Sequence, residues 1–292
     1  MSPAPQRGGA AVAWLELLRL PNLFTVPGDV LAGWCLAGGW GQGLGPLACA
    51  VAASLCLYAV GLLLNDAFDV SVDARERPGR PIPSGRVRLR TVVGVAVALA
   101  CLGLALAWRE WPCALVLLGA IVLYDGFAKR VPGFGVLTMG ACRGLNVLLG
   151  ACCAAPPAAV LSTPLLLAAV AFFVVYTLLL SVVAKNEADP AAHPSLCLRW
   201  SPALLTLCLV PTFWLLGAGP LWTPVVAAAL MAPFLLGRRD VPALVAALIR
   251  HLIPLQLVWC LAALPDWGLA LPAALLGLWA LSLLAARRFK GS

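Results

Sequence analysis

The amino-acid sequence predicts an all-α, polytopic bundle of transmembrane helices. Of its 292 residues 62% are hydrophobic and only 11% are charged, and the mean hydropathy is +0.97, a composition that no soluble class shares. Apolar runs long enough to cross a bilayer, or nearly so, lie at about 14–39, 45–65, 91–108, 112–128, 134–155, 162–184, 200–217, 221–236, 243–264 and 268–286. That makes ten spans, or nine if the short run at 221–236 does not cross. Leu-rich spans that share one lipid-facing exterior imply a single integral domain over 1–292. The first run is too long for a cleavable signal peptide and has no small-residue cleavage site.

The elements carry different polar burdens. The first run contains Arg19 and Asp29, and the second ends in Asn65-Asp66-Ala67-Phe68-Asp69-Val70-Ser71-Val72-Asp73. Arginines 75, 77, 80, 86, 88 and 90 follow before the third run. The fourth closes with Tyr124, Asp125, Lys129 and Arg130; the fifth holds Arg143 and Asn146 between small residues. After the sixth comes a second polar connection, Lys185-Asn186-Glu187-Ala188-Asp189-Pro190-Ala191-Ala192-His193, and the ninth contains Arg250 and His251. With a cytoplasmic N-terminus and ten spans, seventeen of the twenty basic residues face the cytoplasm, Arg109 alone faces outward, and Arg143 and Arg250 lie inside spans. The net charge of +8 is therefore topogenic, and no nucleic-acid partner is expected. Eight of the eleven cysteines lie within spans without CxxC spacing and read as small hydrophobes, while the adjacent Cys152 and Cys153 allow at most a local oxidation.

The acidic stretch carries the chemistry. At 100° per residue Asp66, Asp69 and Asp73 fall within about 60° of one another, with Asn65 at the margin of the same face. Such oxygen donors suit Mg²⁺, which takes one or two carboxylates, keeps waters and completes its shell with phosphates. The following arginines are placed to hold those phosphates. Four separated segments thus offer polar groups to one cytoplasm-facing cavity. Arg143 inside a span costs roughly 2.5–3.5 kcal/mol unless a cavity or partner compensates it. A bound diphosphate would do so, and so would an ion pair with Asp29 or Asp125. Other plain readings compete: ion pairs between the Asp cluster and its arginines, an i,i+4 pair of Asp125 with Lys129, and helix packing at Gly140 and Gly144. For Arg250 and His251 helix packing and an acceptor pocket remain equally open.

Asn65-x-x-x-Asp69-x-x-x-Asp73, continued by Arg80-Pro81-Ile82-Pro83-Ser84-Gly85-Arg86, resembles the first signature of the UbiA superfamily of intramembrane prenyltransferases. Arg19-Leu20-Pro21-Asn22 with Asp29 and Gly33 is similar to that family's first helix, and Arg143-Gly144-Leu145-Asn146 with Gly150 to its fifth. With Ala184-Lys185-Asn186-Glu187 the combination most resembles the EboC-like branch. The resemblance implies Mg²⁺-dependent binding of a polyprenyl diphosphate and transfer of the prenyl group to an aromatic or lipid-like acceptor. The metal would rest on Asn65, Asp66, Asp69 and Asp73, and Lys129, Arg80 and Arg143 would neutralise the leaving diphosphate. Tyr124, Asn146, Asn186, Glu187 and Asp189 would complete the substrate site, with Phe68, Tyr124 and Tyr176 lining a dry pocket. Against the family's second signature, Asn186, Asp189 and His193 leave one carboxylate where three are expected, with Glu187 offset. The expected setting is a bacterial cytoplasmic membrane with the site facing the cytoplasm. A non-catalytic prenyl-lipid binder or a transporter is the alternative on the same fold, although no inverted repeat is visible; a purely structural membrane subunit is a third reading.

Overall fold

A computed structural model of the chain describes residues 9–184, 195–237, 241–263 and 270–288, and these are helical with short connections and no strands. In chain order the helices are α1 (Ala10–Leu17), α2 (Leu20–Leu23), α3 (Pro27–Leu36), α4 (Leu44–Phe68), α5 (Val70–Glu76), α6 (Leu89–Leu106), α7 (Trp111–Gly126), α8 (Phe134–Ala154), α9 (Pro157–Leu161), α10 (Pro164–Ala184), α11 (Leu196–Leu207), α12 (Leu209–Leu216), α13 (Trp222–Gly237), α14 (Val241–Ala262) and α15 (Ala270–Arg288). By length and composition α4, α6, α8, α10, α14 and the joined stretch Cys197–Leu216 can each cross a membrane, and Trp111–Gly126, Trp222–Ala232 and Ala273–Ala286 are shorter apolar helices. Large apolar side chains such as Val93, Val97 and Leu102 on α6 point outward, as lipid-facing positions do.

One expected span differs in kind. The run 14–39 is three short helices, because Arg19 adopts a left-handed backbone (φ 43°) and Pro21 and Pro27 each lack an N–H. In a continuous helix the Thr25 carbonyl would accept from the amide of Asp29. Here that amide bonds Val26 O instead, at 3.2 Å. The break therefore frees the Thr25 carbonyl for side chains. The run 200–217 is also divided, into α11 and α12 at Cys208, where Pro211 cannot donate to the preceding turn. The acidic helix bends as well: α4 stops at Phe68 and α5 starts at Val70, with Asp69 at the joint.

The centre of the bundle is α3, buried at every residue from Gly28 to Leu36 and packed on α4, α8, α10 and α14. Its contact with α8 is close because glycines face backbone from both sides: a Cβ at Gly33 would overlap the Val147 carbonyl, and one at Gly150 the Val30 carbonyl. Gly140 and Gly144 let α8 approach Val174 and Val170 on α10, the packing role their spacing suggested. Gly33→Ala is expected to destabilise the fold by about 1–3 kcal/mol through overpacking. Gly119→Ala, with open space around it, should be neutral or gain up to about 1 kcal/mol; thermal unfolding in detergent separates the two. Topology has its own test. Reporter fusions at Ser292 and after Pro220 should report opposite sides, the C-terminus cytoplasmic, if ten segments cross.

Candidate active site

The acidic stretch and the loop after it form the upper layer of the site. Residues 77–88 fold into a compact hairpin of turns in which Gly85, at φ 75°, takes a conformation that side chains disfavour. Ile82 and Val87 pin this loop into a cluster with Leu17, Leu63 and Val92, and Arg86 grips Glu16 on α1 through two bonds of 2.7 and 3.1 Å. So anchored, the loop presents Arg80. One nitrogen of Arg80, Nη1, lies 2.9 Å from Asp73 Oδ2 and 3.3 Å from Asp66 Oδ1. Arg19 Nη2 reaches the same Asp66 oxygen at 3.3 Å. Lys129, in the single turn joining α7 to α8, pairs with Asp69 Oδ1 at 2.7 Å and donates to Asn65 Oδ1 at 3.2 Å. Three carboxylates and three cations therefore balance one another. Tyr124 and Asp125, at the end of α7, lie within the fields of Asp69 and Arg19.

A second polar layer lies deeper in the bundle. Arg143 Nε sits 2.9 Å from Asp29 Oδ2, an ion pair whose N–H is not aimed at the oxygen, and Arg143 Nη2 donates to the freed Thr25 carbonyl at 2.9 Å. Asn146 donates to Asp29 Oδ2 at 3.0 Å and accepts from Ser54 Oγ at 2.6 Å. Gln256 on α14 donates to Asp29 Oδ1 at 2.7 Å and to the Thr25 carbonyl at 2.6 Å. Tyr58, one face of α4 below Asn65, stands within the fields of both Arg143 and Arg19, so the two layers are contiguous.

Several expectations change. The three carboxylates do not converge on a single point: Asp66 and Asp73 meet at Arg80, while the bend at Asp69 turns that side chain to Lys129. Among the described residues no group of three or more acidic, histidine or thiol side chains is arranged to hold a metal. The donor set nonetheless suits Mg²⁺, since two carboxylate oxygens touch one nitrogen and are at most about 6 Å apart. Arg143 is held by Asp29, one of the ion-pair partners the sequence offered, because a buried guanidinium needs a carboxylate and α3 supplies one. The expected cavity is closed at this end: the crevice lined by Leu17, Asp66, Asp73, Arg80, Pro81, Ile82 and Pro83 leaves no room for a water molecule. Ligand sites usually measure about 300 Å³ or more. A ligand of that size could enter here only by parting these ion pairs. Of the aromatic lining, Tyr124 stands by the charges, Phe68 is exposed, and Tyr176 is core, stacked on Phe172 and bonded to Leu248 O at 3.0 Å. His251 is buried on α14, and its Nε2 has no hydrogen-bond partner among the described residues. The cysteines are free thiols, so Cys152 and Cys153 form no disulfide. Asn186, Glu187, Asp189 and His193 lie outside the described residues.

Residue reasoning passed over Arg19, Ser54, Tyr58 and Gln256 as site residues. Arg19 was visible as a charge within an apolar run. Ser54 and Tyr58 precede Asn65 by eleven and seven residues, the spacing of one helix face. Gln256 offered only its polarity in a ninth span.

A model of the UbiA prenyltransferase family matches residues 29–241, well over half of the chain. The chain belongs to the UbiA prenyltransferase family. Among curated proteins it is similar to the digeranylgeranylglyceryl phosphate synthases of Methanosarcina barkeri, 30% identical over 154 residues that cover 47% of this chain and 53% of that protein, and of Natronomonas pharaonis, 34% identical over 140 residues covering 47% and 50%. The chain thus spans about half the length of the curated relatives it matches. Its fold is that of UbiA homologues of solved structure. One from Aeropyrum pernix gives a TM-score of 0.61 at 18% identity, covering 90% of this chain and 98% of that one; one from Archaeoglobus fulgidus, bound to GPP and Mg²⁺, gives 0.51 at 16%, covering 93% and 97%. Within this UbiA fold the matched segment begins at Asp29 and ends at Val241, so it includes both polar layers except Arg19, Thr25 and the α14 residue Gln256.

Proposed function

We propose that this UbiA-family chain is an integral-membrane prenyltransferase that binds a polyprenyl diphosphate and passes its prenyl group to an aromatic or lipid-like acceptor. The observation that carries the reading is the upper layer, where Arg19, Arg80 and Lys129 are paired with Asp66, Asp69 and Asp73. Phosphate oxygens can take over the three cations, which releases the carboxylates to a metal. Asn65, Asp66, Asp69 and Asp73 would hold Mg²⁺, the ion found with GPP in a UbiA homologue of solved structure. When bound, the metal supplies charge that offsets what develops on the departing diphosphate. The protein's own groups do the rest: Arg80 and Lys129 orient the phosphates, Arg143 adds positive charge from below, and the apolar helices around Tyr58 and Tyr124 keep water from the allylic carbon. A ring face such as that of Tyr124 favours a nearby cation by about 0.5–2 kcal/mol.

The site faces the cytoplasm in this proposal, as the basic-residue distribution requires. A bacterial membrane remains the expected setting, on which the archaeal relatives do not bear. The EboC-like assignment gains no support from those relatives, whose name denotes a glyceryl phosphate synthase, and that name makes a lipid-like acceptor the first to screen. The decisive assay incubates purified protein and radiolabelled prenyl diphosphates of several lengths with a membrane lipid extract, with and without Mg²⁺. Mg²⁺-dependent transfer of label into a new lipid is the expected result. Tight Mg²⁺-dependent binding with no transfer to any acceptor would instead favour a non-catalytic prenyl-lipid binder, a reading to which the single aspartate among Asn186, Asp189 and His193 lends weight.

A further inference from the structure

We propose that Gln256 is a positioning residue: together with Gly28 it holds Asp29 to one edge of the Arg143 guanidinium, leaving Arg143 Nη1 for the substrate's diphosphate. The inference rests on the reading that Arg143 meets that anion. Its starting point is how the two Asp29 oxygens are divided. Oδ2 faces Arg143 and Asn146, whereas Oδ1 is taken by Gln256 at 2.7 Å. A carboxylate with both oxygens available prefers to grip a guanidinium through two parallel bonds. With Oδ1 held by Gln256 and Nη2 held by the Thr25 carbonyl, Asp29 stays on Nε and does not swing to the Nη1–Nη2 end of the guanidinium. Gln256 also shares the Thr25 carbonyl with Arg143 Nη2, which fixes the second point of the guanidinium plane. The remaining amino group, Nη1, has no hydrogen-bond partner among the described residues, and the side chain retains 9% exposure. Tyr58 stands within the fields of both this guanidinium and Arg19 of the upper layer.

The amide of Gln256 could not sit where it does if residue 28 had a side chain. A Cβ on Gly28 would overlap Gln256 Oε1, so the glycine in the first turn of α3 is the complement of a glutamine 228 positions later. Gln256 is fully buried, and α14 is held in place by its contacts with α3, α10 and α13. This gives a span beyond the matched family segment a direct hand in the geometry of that segment's arginine.

A double-mutant cycle tests the proposal. Binding of a non-reactive prenyl thiolodiphosphate with Mg²⁺ is measured by calorimetry for wild type, Gln256→Met, Arg143→Met and the double variant, with thermal unfolding in detergent run alongside. Gln256→Met should weaken binding roughly 10-fold and Arg143→Met more, and the double variant should bind like Arg143→Met alone, because a residue that works through another has no effect once that other is gone. Should Gln256→Met not fold, Gly28→Ala, which pushes the amide aside, takes its place in the cycle. Wild-type affinity in Gln256→Met, or losses that multiply in the double variant, would overturn the positioning role while leaving the proposed function intact. If wild type shows no Mg²⁺-dependent binding, or Arg143→Met binds as wild type does, the role of Arg143 fails and this inference fails with it.

Discussion

Asp69→Ala should lower prenyl-transfer turnover about 10²–10³-fold and abolish the Mg²⁺ dependence of prenyl diphosphate binding, while the protein unfolds at nearly the wild-type temperature. The size follows from removing one electrostatic contribution to a transition state in which charge grows on the leaving group, worth about 3–4 kcal/mol in comparable sites. Stability should hold because Asp69 lies at the joint of α4 and α5 with its side chain 30% exposed, so its ion pair with Lys129 is partly screened by solvent. Such pairs contribute only about 0–1 kcal/mol. Lys129 keeps Asn65 as a partner in the variant. Calorimetry with and without Mg²⁺, and turnover at saturating prenyl diphosphate, give the two readouts. Unchanged metal dependence would place the anion site elsewhere in the molecule.

Asp29→Leu should act in the opposite way, on the fold first. It leaves Arg143 without its carboxylate and removes one of the two acceptors of Asn146 Nδ2 and of Gln256 Nε2, all in a region where Asp29 itself is fully buried. Breaking one partner of a buried pair typically costs about 3–5 kcal/mol, a large part of the roughly 5–15 kcal/mol that holds a domain folded. A steep fall in unfolding temperature and in detergent-extracted yield is expected. Pairing the change with Arg143→Met removes the stranded charge and should recover most of the stability, while prenyl diphosphate binding stays weak. A stable Asp29→Leu single variant would mean that the guanidinium finds another partner or reaches water.

Much of this protein was legible because the relevant signals are local. Hydropathy over about twenty residues located α4, α6, α8, α10 and α14, and the turn from apolar to acidic residues at Asn65 marked the end of α4. The i, i+3 and i, i+7 spacing of Asp66, Asp69 and Asp73 put them on one helix face, but the structure keeps only Asp66 on α4 and carries Asp73 on α5 beyond the bend at Asp69. Averaging over a window is also why the run 14–39 read as a single span: two prolines and one arginine scarcely change its mean hydropathy, yet they break the backbone into α1, α2 and α3.

What local periodicity could not express is which distant group neutralises which. The ion pair of Arg143 with Asp29 was one of several candidates from sequence, since Asp125 and a bound anion met the same electrostatic need. Only the packing of α3 on α8, made possible by Gly33 and Gly150, brings Asp29 to that arginine. Gln256 reaches Thr25 across 231 positions and Arg19 reaches Asp66 across 47. The membrane class, the main helices and the acidic helix end were thus determined by the sequence alone, because they follow from solvent preference and helical geometry residue by residue. The division of the charges into an upper layer around Arg80 and Lys129 and a deep layer around Asp29 was decided by the tertiary structure, because buried charges are satisfied by whichever partners the packing of remote helices brings within bonding distance.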